Sequence, residues 1–402
     1  MVHLNNLTEF KYTDVTNTEF LDDIRELSCI HRNRVRWKPG RETRCCAFSS
    51  SGDKFAWSPG HGHVEIIHMF TVSQLNHGDS QRERNSITCG CNVTSMKFAP
   101  PFVMTENKFS STSLLATGLE NGQIKIWDSN NGHLLFNLSD HTDIVRGLSF
   151  SPCGIPLLVS CSEDKTIKVW DLADDGNMTL TVRQQKFPVL DCAFSPVNPH
   201  VLASVGMAKM VIVWDFVHKR SCRPAGRLLG HNNDVISCSW SPDGALLATA
   251  SHDTTVIIWD PHANVQITVL CHLYPLPCPI YAGGANGAWV TSVNFSNDGT
   301  KIATVCEDNH VRVWKLWNRQ DTVYVVPLSK SGLQCRFSPD DQTLAISQLN
   351  GIVTLASVPC RKVLSLRHLS RLAARKAISS KMIDLMTLPQ PIKDYLAYRF
   401  PL

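Results

Sequence analysis

At 402 residues, with 43% apolar and 18% charged side chains, the chain can bury a sizeable core and is too hydrophobic for global disorder. A net charge of +4 is too small to mark the whole chain as a nucleic-acid binder, and no run approaches the ~20 uninterrupted apolar residues of a membrane-spanning helix. Fifteen scattered cysteines without a CxxC pair fit reduced thiols in an intracellular protein, cytoplasmic or nuclear, and neither a metal nor another cofactor is expected. The charge is unevenly spread. From Arg361 onward nine Lys/Arg face two Asp/Glu, a surplus of seven, so the preceding body sits near −3. That step marks a tail with a separate task.

Residues 1–29 come first. Around them "FLDDIRELSCI" (20–30) reads either as a turn or two of helix or as an outer strand that closes a ring, a role for which "RKVLSL" (361–366) competes. Residues 30–362 form one array. After a degenerate first unit, "CCAFSSSGDKFAWSPGHGHVEII" (45–67), five segments align: "GLENGQIKIWD", "CSEDKTIKVWD", "VGMAKMVIVWD", "ASHDTTVIIWD" and "VCEDNHVRVWK". Their tryptophans, Trp127, Trp170, Trp214, Trp259 and Trp314, recur at intervals of 43, 44, 45 and 55 residues. Each is preceded by a second alternating run such as "VISCSWSP", with a small-residue strand such as "LLATAS" between. Asn-Gly at 121–122 and Asp-Gly at 243–244 and 298–299 accept the positive φ of tight hairpins. A last unit, "LQCRFSPDDQTLAISQLNGIVTLAS" (333–357), has Ala356 at the tryptophan position. Sheets of three or four strands bury both faces only by stacking around an axis, so an all-β propeller is expected. Seven blades fit best. Six or eight stay open because the insert "CHLYPLPCPIYAGGANGA" (271–288) is unassigned.

These repeats resemble the WD-repeat family. The resemblance implies a buried structural network in two units, His141, Ser162, Asp164 and Trp170 in one and His231, Ser251, Asp253 and Trp259 in the other. A Ser-His-Asp hydrolase is rejected: the trio recurs, and no nucleophile elbow, P-loop or HExxH is present. No catalytic residue is expected. The family alignment puts Glu120, Glu163, His252 and Glu307 on the rim of one propeller face. That rim is read as a candidate substrate surface for a basic peptide or patch, and the Pro/Gly-rich insert as a second.

In the tail three short helices are expected: about 365–377, one from Ser379 or Ser380 through Met386, and one opened by Pro391 after the break "LPQP". About forty residues hardly bury their apolar faces alone, so this unit needs a partner or the propeller. Leu366, Ser370 and Ala374 fall on one helical stripe with Leu369 and Ala373 beside it. Arg367, Arg371 and Arg375 line an adjacent stripe, read as a solvated helix face.

Residues 363–402 resemble a SOCS box, with 365–374 as its BC-box and "LPQPIKDYL" (388–396) as its cullin-box. The resemblance implies an Elongin C-binding set of Leu366, Leu369, Ser370 and Ala374. It implies a cullin-binding set of Leu388, Pro389, Pro391, Ile392, Tyr395 and Leu396. Ser370 stands where cysteine is usual, and Gln390 where an apolar residue is usual. A propeller followed by both boxes resembles the WD-repeat and SOCS-box-containing family. That resemblance implies a substrate-recognition adaptor of a ubiquitin ligase, with Elongin B, Elongin C, a cullin-5-type scaffold with its RING protein, and protein substrates as partners. A scaffold whose SOCS box engages no cullin is the alternative. Nucleic acid and membrane insertion are not expected.

Overall fold

A computed structural model describes residues 19–20, 24–27, 44–69, 84–101, 113–152, 154–183, 186–218, 221–272, 289–316, 322–358, 366–378 and 380–398. Seven sheets make up the body, each of four antiparallel strands, the sixth with a fifth strand added in parallel. Their innermost strands are, in chain order, Cys46–Phe48, Val93–Phe98, Val145–Phe150, Val189–Phe194, Val235–Trp240, Val290–Phe295 and Gly332–Phe337. Each packs against the next and the seventh against the first, so the array is a closed seven-bladed propeller. The insert from residue 273 to 288 and most of "RKVLSL" lie outside the described residues.

The ring closes through the N-terminal segment. Ile24–Leu27 pairs antiparallel with Val353–Ser357 as the outer strand of blade seven, Ile24 opposite Ala356 and Leu27 opposite Val353. Glu19–Phe20 adds in parallel to the outer strand of blade six. The propeller therefore draws in residues from ahead of position 30. This removes the free edge of the last blade, which would otherwise be a template for foreign strands.

Side chains sew neighbouring blades together around the axis. The N–H groups of Phe194, Phe295, Phe337 and Cys46 donate to Ser149 Oγ (3.0 Å), Ser239 Oγ (3.1 Å), Asn294 Oδ1 (2.8 Å) and Gln334 Oε1 (3.0 Å) of the preceding inner strand. Inner-strand amides that no neighbouring strand reaches are thus satisfied by polar side chains. Gly122, Gly244 and Gly299 take the positive φ expected of their turns. In blade seven the turn position of Gly299 is held by Asp341, with φ 57°. Its carboxylate accepts the N–H groups of Asn297 and Asp298 at 2.7 Å each, and ties blade seven to blade six.

The buried network differs in one member from the family expectation. The hydroxyl between His231 and Trp259 is Thr249: His231 Nε2 and Trp259 Nε1 both lie 2.8 Å from Thr249 Oγ1, and His231 Nδ1 lies 2.8 Å from Asp253. Likewise Ser160, not Ser162, bridges His141 and Trp170. Trp170 pairs with Leu158, and Ser160 is the next residue on that face of the strand. Ser162 and Ser251 sit at the strand ends, where they accept the N–H groups of Asp164 and Asp253 and fix the turns. The same hydroxyl ten residues before tryptophan recurs as Thr117, Ser204 and Thr304. Burial would raise the Asp253 carboxyl, but hydrogen bonds from His231 and Thr255 and the Asn232 N–H outweigh it and hold it below the usual range.

Thr249→Val keeps the side-chain shape and removes both hydrogen bonds, leaving a buried indole N–H and an imidazole nitrogen unpaired. The expected loss is about 2–4 kcal/mol, read as a lower urea midpoint with unchanged slope. A midpoint equal to wild type would reject the relay as a stabilising element.

Candidate functional site

Three helices follow the ring: α1 (Leu366–Ala377), α2 (Ser380–Leu385) and α3 (Gln390–Leu396). They sit on the Asp-Gly turns of blades five and six. His368 Nε2 donates to the Asp298 carbonyl (2.6 Å), and Arg371 Nη2 donates to His368 Nδ1 (3.0 Å), which fixes the neutral tautomer with hydrogen on Nε2. The Tyr398 hydroxyl donates to Asp243, whose other oxygen accepts from Ser241 Oγ (2.6 Å) and the Ala245 N–H (3.1 Å). Burial, then the Asp243 carboxylate, pushes the Tyr398 phenol well above its usual range, so it stays a donor.

The basic stripe is where the sequence reading needs correction. Arg371 and Arg375 are not solvated: they are only 3% and 5% exposed. The Arg371 guanidinium lies 4.3 Å from the Tyr398 ring centre and 4.6 Å from that of Tyr395; Arg375 lies 5.9 Å from Tyr398. A guanidinium is weakly hydrated and planar, so aromatic faces can replace its water. The two arginines brace Tyr398 and His368, and those two side chains make the hydrogen bonds to the propeller. Tyr395 and Tyr398 come more than twenty residues after Arg371, and helical spacing alone gave no sign of that contact.

With the basic face consumed, the opposite face of α1 is open. Leu366 is 82% exposed, Leu369 and Ser370 are exposed, and Ala374 is half-buried beside them. Met382, Leu385 (85% exposed), Met386 and Ile392 continue the apolar surface over α2 and α3, while Ile383 is buried. Of the expected cullin-box set, Pro389, Pro391 and Ile392 are exposed and Leu388, Tyr395 and Leu396 are half-buried. Tyr395 also faces Arg367 and Arg371. Lys393 Nζ donates to the Asp384 carbonyl (2.9 Å) and ties α3 to α2.

The SOCS box family profile matches residues 362–397, and the profile described as WD domain, G-beta repeat matches 132–171, 222–260 and 279–315. The chain is 42% identical to WD repeat and SOCS box-containing protein 1 of Xenopus tropicalis and 40% identical to that of Homo sapiens. Each alignment spans 90% of this chain and 92% of the relative. The chain belongs to the WD repeat and SOCS box-containing family.

In this WD repeat and SOCS box-containing chain the expected rim lies on the far side of the propeller from the SOCS box. Strand Leu247–Ser251 joins the two faces: the turn at its start carries Asp243, and the turn at its end carries His252. The N–H groups of Glu120, Glu163, His252 and Glu307 each donate to an inner-strand neighbour at 3.0 Å, so the four are equivalent. Met207 and Leu349 make the same bond in blades four and seven and belong to the rim too. Neither is among the four rim residues expected from the sequence, although Met207 occupies the aligned position two residues after Val205, as Glu120 does after Gly118.

The rim is less acidic than its sequence. Glu163 is paired with Arg146 (2.5 Å) and Glu120 accepts from Asn92 Nδ2 (2.9 Å). His252 stacks on Trp289 with ring centres 4.3 Å apart, and burial pushes the Glu307 carboxyl up. Among the described residues no cluster of His, Cys, Asp or Glu is arranged to hold a metal ion, and no helix is long and apolar enough to cross a membrane.

Proposed function

We propose that the chain is the non-catalytic substrate-recognition subunit of an Elongin B/C–cullin RING ubiquitin ligase. The observation that carries this reading is the division of α1. Arg371 and Arg375 on its basic face are buried against Tyr395 and Tyr398, while Leu366, Leu369, Ser370 and Ala374 present an uncovered apolar stripe. A stripe of that kind, with one large leucine and small neighbours, suits the groove of a second protein. Elongin C is the occupant the family implies, and the LPxP form of the cullin-box favours a cullin-5-type scaffold.

The two departures from the family pattern have local remedies. The Ser370 hydroxyl donates to the Leu366 carbonyl (2.7 Å), so burying Ser370 under a partner leaves no unpaired donor. Gln390 Nε2 donates to Asp394 Oδ1 (2.7 Å) one turn on, which supports α3. On the far face the rim of Glu120, Glu163, His252 and Glu307 is the proposed substrate reader, with Met207 and Leu349 as apolar contacts. A substrate held there has its lysines at high local concentration near a ubiquitin-charged enzyme carried by the ligase.

The test is capture from defined components. The full chain, mixed with purified Elongin B/C and either cullin-5 or cullin-2 bound to its RING protein, is expected to elute with the Elongins and with cullin-5. Recovery of the Elongins without either cullin would favour the scaffold reading. Recovery of neither would reject the adaptor.

A further inference from the structure

The propeller axis carries charges that neither the SOCS box nor the rim uses. A cavity of about 390 Å³ opens among the Ser-Pro turns on the SOCS-box side, lined by the ends of the inner strands. The side chains just before each strand's last aromatic residue face it: Lys97, Ser149, Ala193, Ser239, Asn294 and Arg336. Lys97 and Arg336 belong to blades two and seven, the two neighbours of blade one, and Ala47 takes the equivalent place between them.

Neither cation has a counter-ion of its own. Among the described residues no hydrogen bond or ion pair reaches the Lys97 ammonium or the Arg336 guanidinium. Asp191 is the only carboxylate lining the cavity, and its oxygens are engaged by the N–H groups of Cys192 (2.8 Å) and Cys238 (3.0 Å). Two half-buried cations share the field of this one carboxylate, so the cavity carries a surplus of positive charge. Burial, with Arg336 close by, brings the Lys97 ammonium down to about 8, whereas Asp191, Cys238 and Cys192 act the other way. Lys97 is therefore still mostly charged at pH 7.

We propose that this cavity binds the oxyanion group of a small ligand, a phosphate or a carboxylate, between Lys97 and Arg336. The volume suits a metabolite and not a peptide segment. Arg336 offers a planar fork that matches either oxyanion, and Lys97 a point charge. Ser149, Ser239 and Asn294 supply polar walls, although their oxygens already accept from inner-strand N–H groups.

The experiment is calorimetric titration of the full chain with pyrophosphate, inorganic phosphate and citrate at constant ionic strength. At least one is expected to bind with one-to-one stoichiometry, and the strongest of the three identifies the ligand chemistry. Lys97→Gln and Arg336→Gln should each weaken it about tenfold or more, Lys97→Arg by less than about threefold, and Arg367→Gln on the exposed tail not at all. Relative to Lys97→Arg, wild-type affinity should fall between pH 7 and pH 9 as Lys97 loses its proton, the ligand's own ionisation cancelling in the ratio. That profile decides the matter even if a glutamine variant does not fold. Absence of one-to-one binding up to about 10 mM for all three anions, binding unchanged in both folded glutamine variants, or a wild-type affinity that does not fall with pH relative to Lys97→Arg would overturn the proposal.

Discussion

Leu366→Asp should abolish capture of Elongin B/C while leaving the melting temperature of the free protein within about one degree. The side chain is 82% exposed, so its loss removes no packing from the chain itself. Buried in a partner's pocket, a leucine contributes about 2–3 kcal/mol, and Leu366→Ala should therefore weaken binding roughly 30- to 150-fold. Aspartate adds the cost of burying an unpaired charge and should take binding beyond detection. Ser370→Phe overfills the close-approach surface one turn on and should act similarly. Interferometry with immobilised Elongin B/C reads both. A Leu366→Asp protein that still binds within threefold of wild type would mean that another face of the tail makes the contact.

Arg371→Ala should do the opposite: Elongin affinity persists and the anchor to the propeller fails. Arg371 and Leu366 lie on opposite sides of α1, so one change does not reach the other's contacts. The substitution removes a guanidinium stacked near two tyrosine rings and leaves His368 without its donor. Each stacked pair contributes about 0.5–2 kcal/mol, and with the lost hydrogen bond the docking weakens by about 2–4 kcal/mol. Amide exchange of residues 366–378 should speed up accordingly, while exchange in the inner strands stays slow. Arg371→Lys should rescue only part, because an ammonium lacks the planar stacking surface. Unchanged exchange in α1 would show that the basic stripe does not hold the tail. In a reconstituted ligase the alanine variant should also transfer ubiquitin more slowly to a bound substrate, because the substrate face and the Elongin face would no longer keep a fixed separation.

The propeller was legible because five tryptophans mark it at near-constant spacing and two degenerate units flank them. The blade count, open in the sequence owing to the insert, is settled by seven inner strands that touch in a closed cycle. The relay was legible except for its hydroxyl. Ser160 and Ser162 are two residues apart on one face of a strand, and only the recurrence of Ser or Thr ten residues before each tryptophan separates them. The apolar stripe of α1 was readable from spacing. The fate of its arginines was not, since the tyrosines they pack against lie beyond a proline break. The axial cations were equally silent: Lys97 and Arg336 become neighbours only when the ring closes.

That closure has a consequence for how the chain is made. Ile24 must find Ala356, and at about 5–20 residues per second a ribosome needs tens of seconds to deliver the second after the first. Throughout that interval the early strand waits without its mate, and every blade already emerged has an unsealed seam. The last strand to be synthesised in the ring is the one that lets the first one rest. A lesion late in the coding sequence that stops translation before residue 353 should thus disturb the earliest segment as well.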